Sequence, residues 1–292
     1  MDEPTLILIL GQSGSGKNEL NKMFYEKGIK QYTNTDKIES SKNYLLDGID
    51  NKQSLIDTVN KFKNAGYKTE AVVLSVPEKI SWLSVMETMQ NNQTKSAHSK
   101  ECDSIPETIR KLYDDKDIHS VKILDSNFNS LFSDQLINGN WQRNKNPAEI
   151  ILDNRSKPLS LVEINQHTKR WEQVLNSIEK NNLSSESLFN AKVDKTHFDN
   201  ELKYLNVSSK LTHSQTYREA FYKNIDENII NKPMSEGVKL KLISSVYKLA
   251  DDRLREQARV TGDKYKYMEP SLSEHKITLQ QSNTIEKFIE KD

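Results

Sequence analysis

Gly11-Gln12-Ser13-Gly14-Ser15-Gly16-Lys17 is the stretch whose residue types and spacing fit a definite chemical task. It matches G-x-x-x-x-G-K, follows an apolar run and precedes the helical pattern Glu19–Lys27, which is the context this motif needs. Glycines let backbone N–H groups converge on phosphate oxygens, and the following helix start adds partial positive charge. Lys17 is then the group that reaches the β- and γ-phosphates of ATP or GTP, and Gly11, Gln12, Ser13, Gly14, Ser15, Gly16, Lys17 and Asn18 form the expected cofactor-binding set. The pattern wants Ser or Thr after the lysine, to ligate Mg²⁺ through a hydroxyl. Asn18 stands there instead, with an amide oxygen that can ligate Mg²⁺ or orient a water. The plain alternative is a Gly/Ser turn that holds no ligand.

The remaining chemistry-bearing residues are scattered. The six histidines form no H-x-x-x-H or H-E-x-x-H pair, so no zinc site is expected. Ser13 and Ser15 lack a nucleophile-elbow context. Cys102 sits between Glu101 and Asp103, which oppose thiolate formation, and reads as structural or surface. Trp82, Trp141 and Trp171 read as packing aromatics. Gly139-Asn140-Trp141-Gln142-Arg143 carries a second reading, in which Trp141 and Arg143 sandwich an adenine. Arg110, Arg143 and Arg155 are the arginines available for a lid over a nucleotide.

The elements that must position these residues fall into two halves. Thr5–Leu10, Tyr44–Leu46, Ala71–Val76 and Val121–Leu124 read as strands, the first apolar throughout and so covered on both faces. Lys52–Ala65 places Leu55, Ile56, Val59 and Phe62 on one helical stripe stopped by Gly66, and Ile80–Met89 is a further helix. Strand–helix alternation predicts a P-loop α/β domain with a doubly wound parallel sheet over residues 1–145. A helical region over 146–292 follows. Ser160 and Glu163 form a capping-box pattern before a helix carrying Trp171, Val174 and Ile178. Tyr217–Ile230, Val238–Val260 and Leu272–Ile289 read as helices, the second with a stripe of Val238, Leu242, Val246, Leu249 and Leu254. Asn181–Ser187 and Val207–Ser214 read as connections.

Composition bounds the partners. The 292 residues hold 42 Lys+Arg and 42 Asp+Glu, so bulk charge draws the chain to no nucleic acid. No run of ~18 apolar residues is present, so no membrane span is expected. The mean hydropathy is −0.77. One cysteine excludes an intrachain disulfide, and acids stand in the first residues where a secretory signal carries Lys or Arg. A cytoplasmic setting is expected, with delivery as an effector lacking a cleaved signal as the second reading.

GQSGSGKN resembles the GQPGSGKT/S opening of the zeta toxins, bacterial P-loop kinases that phosphorylate UDP-N-acetylglucosamine and related sugars. Three further stretches align in order. Tyr32–Ile38 is similar to the family's strand ending in I-D-x-D, Gly66–Thr88 to its GY-strand-AVP-helix segment, and Pro147–Val174 to its R-x-R-P-L-S…E…W segment. The resemblance places Asp36 at the catalytic-base position, where it would accept the proton of the acceptor hydroxyl. A turn or capping aspartate is the alternative. Asp47 takes the acidic position of the family's E-G-T-x-R motif, where it supports Mg²⁺ through water or stands as an exposed turn acid.

The departures bear on activity. The family's sugar-binding insertion is missing, since eleven residues separate Asp36 from Gly48. Ile49 and Asn51 replace its Thr and Arg, Thr88 takes the place of a helix arginine, and His98 stands near the next one. Arginines at a transferring phosphoryl group are worth about 10³–10⁵ in rate. Two functions are therefore expected. One is a divergent phosphotransferase using Lys17, Asp36 and Asp47, with Mg²⁺ at Asn18 and Asp47, on a UDP-sugar or other small-molecule hydroxyl. The other is a nucleotide-binding pseudokinase whose helices engage a protein partner, an antitoxin or a target.

Overall fold

The computed structural model describes residues 3–33, 38–39, 42–47, 52–88, 94–143 and 145–261. They form two compact units, Met1–Arg155 and Ser156–Asp292. Asp36, Gly48, Ile49, Asn51 and the helix expected over Leu272–Ile289 lie outside the described residues.

The first unit is a seven-stranded sheet flanked by helices. In chain order it runs β1 (Thr5–Leu10), α1 (Lys17–Tyr25), β2 (Lys30–Gln31), β3 (Tyr44–Asp47), α2 (Lys52–Asn64), β4 (Lys68–Leu74), α3 (Glu78–Thr88), α4 (Lys95–Asp114), β5 (Ser120–Leu124), β6 (Ser130–Ile137), β7 (Asn140–Trp141) and α5 (Pro147–Ser156). The sheet order is β2-β3-β1-β4-β5-β6-β7. β1 to β5 pair in parallel, as the strand–helix alternation predicts. β6 and β7 add an antiparallel edge for which the sequence pattern gave no expectation.

Strand pleating explains why TLILIL is apolar at every position. Successive side chains of a strand point to opposite faces. Leu6 and Leu8 join Tyr44, Phe62, Ile109, Leu112 and Ile151 in one core cluster. Ile7 and Ile9 join Leu20, Leu45 and Leu74 in another. Ala71 and Val73 of β4 side with the first cluster, Val72 and Leu74 with the second. Both faces are covered, so β1 is fixed in register from two sides. Each fully buried Leu or Ile contributes about 1.5–3 kcal/mol.

The second unit comprises α6 (Leu161–Lys180), α7 (Ser185–Lys203), α8 (Leu205–His213), α9 (Gln215–Ile225) continued by one π turn (Asp226–Ile230), and α10 (Glu236–Thr261). The Ser160–Glu163 capping box is present, and Trp171, Val174 and Ile178 are buried. Two expectations are corrected. Val207–Ser214 is almost wholly the helix α8, because Val207 and Leu211 turn into a core with Phe221, Ile225, Val246 and Tyr247. The buried stripe of α10 runs through Ile243, Val246, Tyr247 and Ala250, so Leu242, Leu249 and Leu254 flank it.

Candidate phosphate-binding site

The loop Gly11–Gly16 leaves the carboxyl end of β1, the strand flanked by β3 and β4. After β1 the chain builds β2 and β3 on one side of it and returns with β4 on the other. The loop therefore lies at the topological switch point, where open α/β sheets bind ligands.

Local sterics explain its glycines. Gly14 has φ +73°, and a Cβ there would land 2.1 Å from the Ser81 carbonyl oxygen of α3. Gly16 has φ +95° and precedes α1 without a side-chain cap. Its conformation is the left-handed one that side chains resist. The N–H groups opening α1 thus meet no capping side chain from Gly16, which suits an anion. Inside the loop, Ser15 N–H donates to the Gln12 carbonyl at 3.1 Å. The buried Ser15 hydroxyl has no hydrogen-bond partner among the described residues. A buried polar atom left without a partner is uncommon and asks for a ligand or a water.

The Gln12 side chain turns into the protein. It is fully buried, donating to the Val76 carbonyl at 2.6 Å and to Ser81 Oγ at 3.1 Å. Its Oε1 accepts from Arg155 at 2.8 Å, and Arg155 also donates to the Cys102 carbonyl at 2.7 Å. Arg155, one of the arginines available for a lid, is instead a buried brace joining loop, α4 and α5. Ser81 Oγ also meets His98 Nε2 at 3.1 Å, and His98 Nδ1 lies 3.5 Å from Cys102 Sγ. Burial holds the His98 imidazole below its ordinary pKa, against the raising influence of Glu78 and Glu101. Cys102 is buried and structural.

Lys17 folds across the loop and donates to the Gly11 carbonyl. Its ammonium stands 3.6 Å from Glu101 Oε1, while Ser13 N–H donates to Glu101 Oε2 at 3.1 Å. Asp47, at the end of β3, pairs in register with Ile9 beside the loop. Asn21 donates to Asp47 Oδ2, which leaves Asn21 Oδ1 and Asp47 Oδ1 buried with no partner among the described residues. Asn18 is exposed one turn before Asn21, hence on the same side of α1. These are oxygen donors of the kind a hard cation takes. One or two protein oxygens plus phosphates suffice for Mg²⁺. The residues present fit that ion, and among the described residues no group of three or more His, Cys, Asp or Glu suggests another metal.

Arg143 is not brought to the loop. Its N–H donates to Asp134 at 3.0 Å and its guanidinium lies 5.7 Å over the Phe132 ring. Phe132 is on β6, three strand spacings from β1, roughly 14 Å along the sheet. Trp141 stacks on Tyr113 at 4.0 Å and donates to the Tyr113 carbonyl at 3.0 Å, so its indole is used in packing.

Sequence reasoning missed Glu101, Asn21 and Phe128. Phe128 has φ +62°, unusual for an aromatic residue. Its turn is held by Asp125, whose carboxylate accepts from the N–H groups of Asn127 and Asn129 at 2.8 and 2.9 Å. The ring covers Gly16, 3.6 Å from where a Cβ would stand. The Asp, Ser and Asn residues after β5 are the signal that marks this turn.

The fold and loop define the class of this first unit, a P-loop α/β domain. No family model matches the chain. No curated protein matches it either. A solved structure from the PezAT chromosomal toxin–antitoxin system of the human pathogen Streptococcus pneumoniae is similar at 16% identity and TM-score 0.48. That likeness covers 60% of this chain and 88% of the other. No helix among the described residues is long and apolar enough to cross a membrane.

Proposed function

We propose that the chain is a zeta-toxin-like phosphotransferase that moves a phosphoryl group from ATP or GTP to a hydroxyl of a small, nucleotide-like acceptor such as a UDP-sugar. The observation that carries this reading is the phosphate loop at the switch point. Gly14 and Gly16 take conformations that side chains resist, Lys17 lies across the loop, and a buried Ser15 hydroxyl has no partner among the described residues. Loop N–H groups and Lys17 would hold the phosphates. Asp36 would take the acceptor proton. Asn18 and Asp47, with Asn21 orienting Asp47, would hold Mg²⁺ directly or through water. Bound there, the ion would neutralise charge on the phosphates. The sequence resemblance supports an antitoxin partner and a cytoplasmic setting.

The placement of the arginines favours a second reading, a pseudokinase that binds nucleotide without efficient transfer and engages a protein partner or target. Arg155 is consumed as a brace and Arg143 lies over Phe132. Calorimetric titration with ATP and GTP, with and without Mg²⁺, on wild type and Lys17→Ala tests both readings. Losing charge-assisted bonds to phosphate weakens binding by about 10–150-fold in Lys17→Ala. Absence of nucleotide binding in wild type refutes both. Binding without turnover over a panel of nucleotide sugars leaves the pseudokinase. Toxicity on expression, lost in Asp36→Asn, selects the enzyme.

A further inference from the structure

Resting on the phosphate-loop reading in its pseudokinase form, we infer that Glu101 occupies the terminal-phosphate position and makes this loop selective for nucleoside diphosphates over triphosphates. Its carboxylate takes the two kinds of donor that such a loop offers a phosphate. Oε2 accepts the Ser13 backbone N–H at 3.1 Å, and Oε1 lies 3.6 Å from the Lys17 ammonium. A carboxylate presents anionic acceptor oxygens as a phosphate does, so the two compete for one place. Lysine in this motif reaches the outer phosphates, β and γ. The carboxylate bridging Lys17 and Ser13 therefore stands at the outer end of the phosphate track.

Glu101 is brought there by its setting. It lies on α4, beside buried Cys102, whose carbonyl is gripped by Arg155 at 2.7 Å. The same Arg155 holds Gln12, next to Ser13, at 2.8 Å. One buried guanidinium thus fixes the spacing between the helix that carries the carboxylate and the loop that receives it. The Glu101 side chain itself remains 32% exposed. A diphosphate fills the inner positions and leaves Glu101 in place. A triphosphate must expel it or sit against a like charge in a partly desolvated site.

Calorimetric titration of the full chain with ADP and with ATP, both with Mg²⁺, tests this on wild type, Glu101→Gln and Glu101→Asp. Wild type is expected to bind ADP about tenfold more tightly than ATP, the scale one like-charge contact near a protein surface supplies. Glu101→Gln keeps the shape and removes the charge. It is expected to strengthen ATP binding about tenfold while ADP affinity moves less than about threefold. Glu101→Asp, with its carboxylate withdrawn by one methylene, falls between them. A wild type that prefers ATP, or an ATP/ADP ratio unchanged in Glu101→Gln, overturns this inference and leaves the phosphate loop intact. If neither nucleotide binds any of the three proteins, the phosphate-loop reading falls and takes the inference with it.

Discussion

Replacing Arg155 by methionine separates a brace from a lid. Arg155 donates to Gln12 Oε1 at 2.8 Å and to the Cys102 carbonyl at 2.7 Å, and all three residues are buried. Methionine keeps most of the aliphatic length and supplies no donor. Each buried acceptor left without its partner costs about 1–3 kcal/mol, so the two together cost roughly 2–6 kcal/mol. Removing the guanidinium also returns part of its desolvation penalty, which brings the net loss to about 2–4 kcal/mol. In urea titration followed by tryptophan fluorescence, a slope of about 2 kcal/mol/M turns that loss into a midpoint lowered by roughly 1–2 M. Arg155→Lys retains the charge but cannot fork to two acceptors, so it falls in between. Nucleotide affinity drops alongside stability, because the loop loses the contact that holds Gln12. A midpoint within about 0.3 M of wild type together with abolished turnover would refute this reasoning, since Arg155 would then act on the phosphoryl group and not on the fold.

Gly14→Ala places a Cβ 2.1 Å from the Ser81 carbonyl oxygen at φ +73°, so the loop must move off α3. Nucleotide binding by calorimetry is expected to weaken by about tenfold or more, while circular dichroism stays that of wild type. Arg143→Ala is expected to leave nucleotide affinity within about twofold of wild type, because its guanidinium packs on Phe132. Stability is expected to depend on pH through His98. Burial lowers its native pKa below 6.5, so the unfolded chain takes up the proton first. Stability is then full above that value and falls as pH drops through it toward the depressed native pKa. His119, lowered by burial and then by Lys63 and Lys68, acts in the same direction. His98→Asn should flatten part of the slope in urea midpoints measured between about pH 7 and 5.

Much of the first unit is legible because its signals are local. TLILIL, the glycine-rich loop and the Leu55–Phe62 stripe each reveal their element within a dozen residues. α4 is hidden by Pro106, which reads as a helix breaker but is buried within the helix. β6 is hidden by Asp134, a charge on its inward face. That carboxylate is buried yet satisfied by the Tyr113 hydroxyl at 2.8 Å and by the N–H groups of Gln135, Gln142 and Arg143. In the second unit, α8 escaped notice because Ser208 and Lys210 are buried with Val207 and Leu211, so polarity misreported burial. The site divides in the same way. Its loop is contiguous in sequence and visible, whereas Asn21–Asp47, Ser13–Glu101 and Gln12–Arg155 join residues 26, 88 and 143 positions apart. Nothing in a local pattern encodes such pairs.

The bond from Gln12 to Arg155 also sets an order of events during synthesis. The loop sequence leaves the ribosome well ahead of α5, and the guanidinium that braces it is made 143 residues later. At roughly 5–20 residues per second that interval lasts on the order of 7–30 s. β1 meanwhile waits for β4 before it has both of its parallel neighbours. A nascent or truncated chain therefore carries the loop motif well before the loop has its brace. A fragment ending before α5 would show the motif and lack the contact that fixes it.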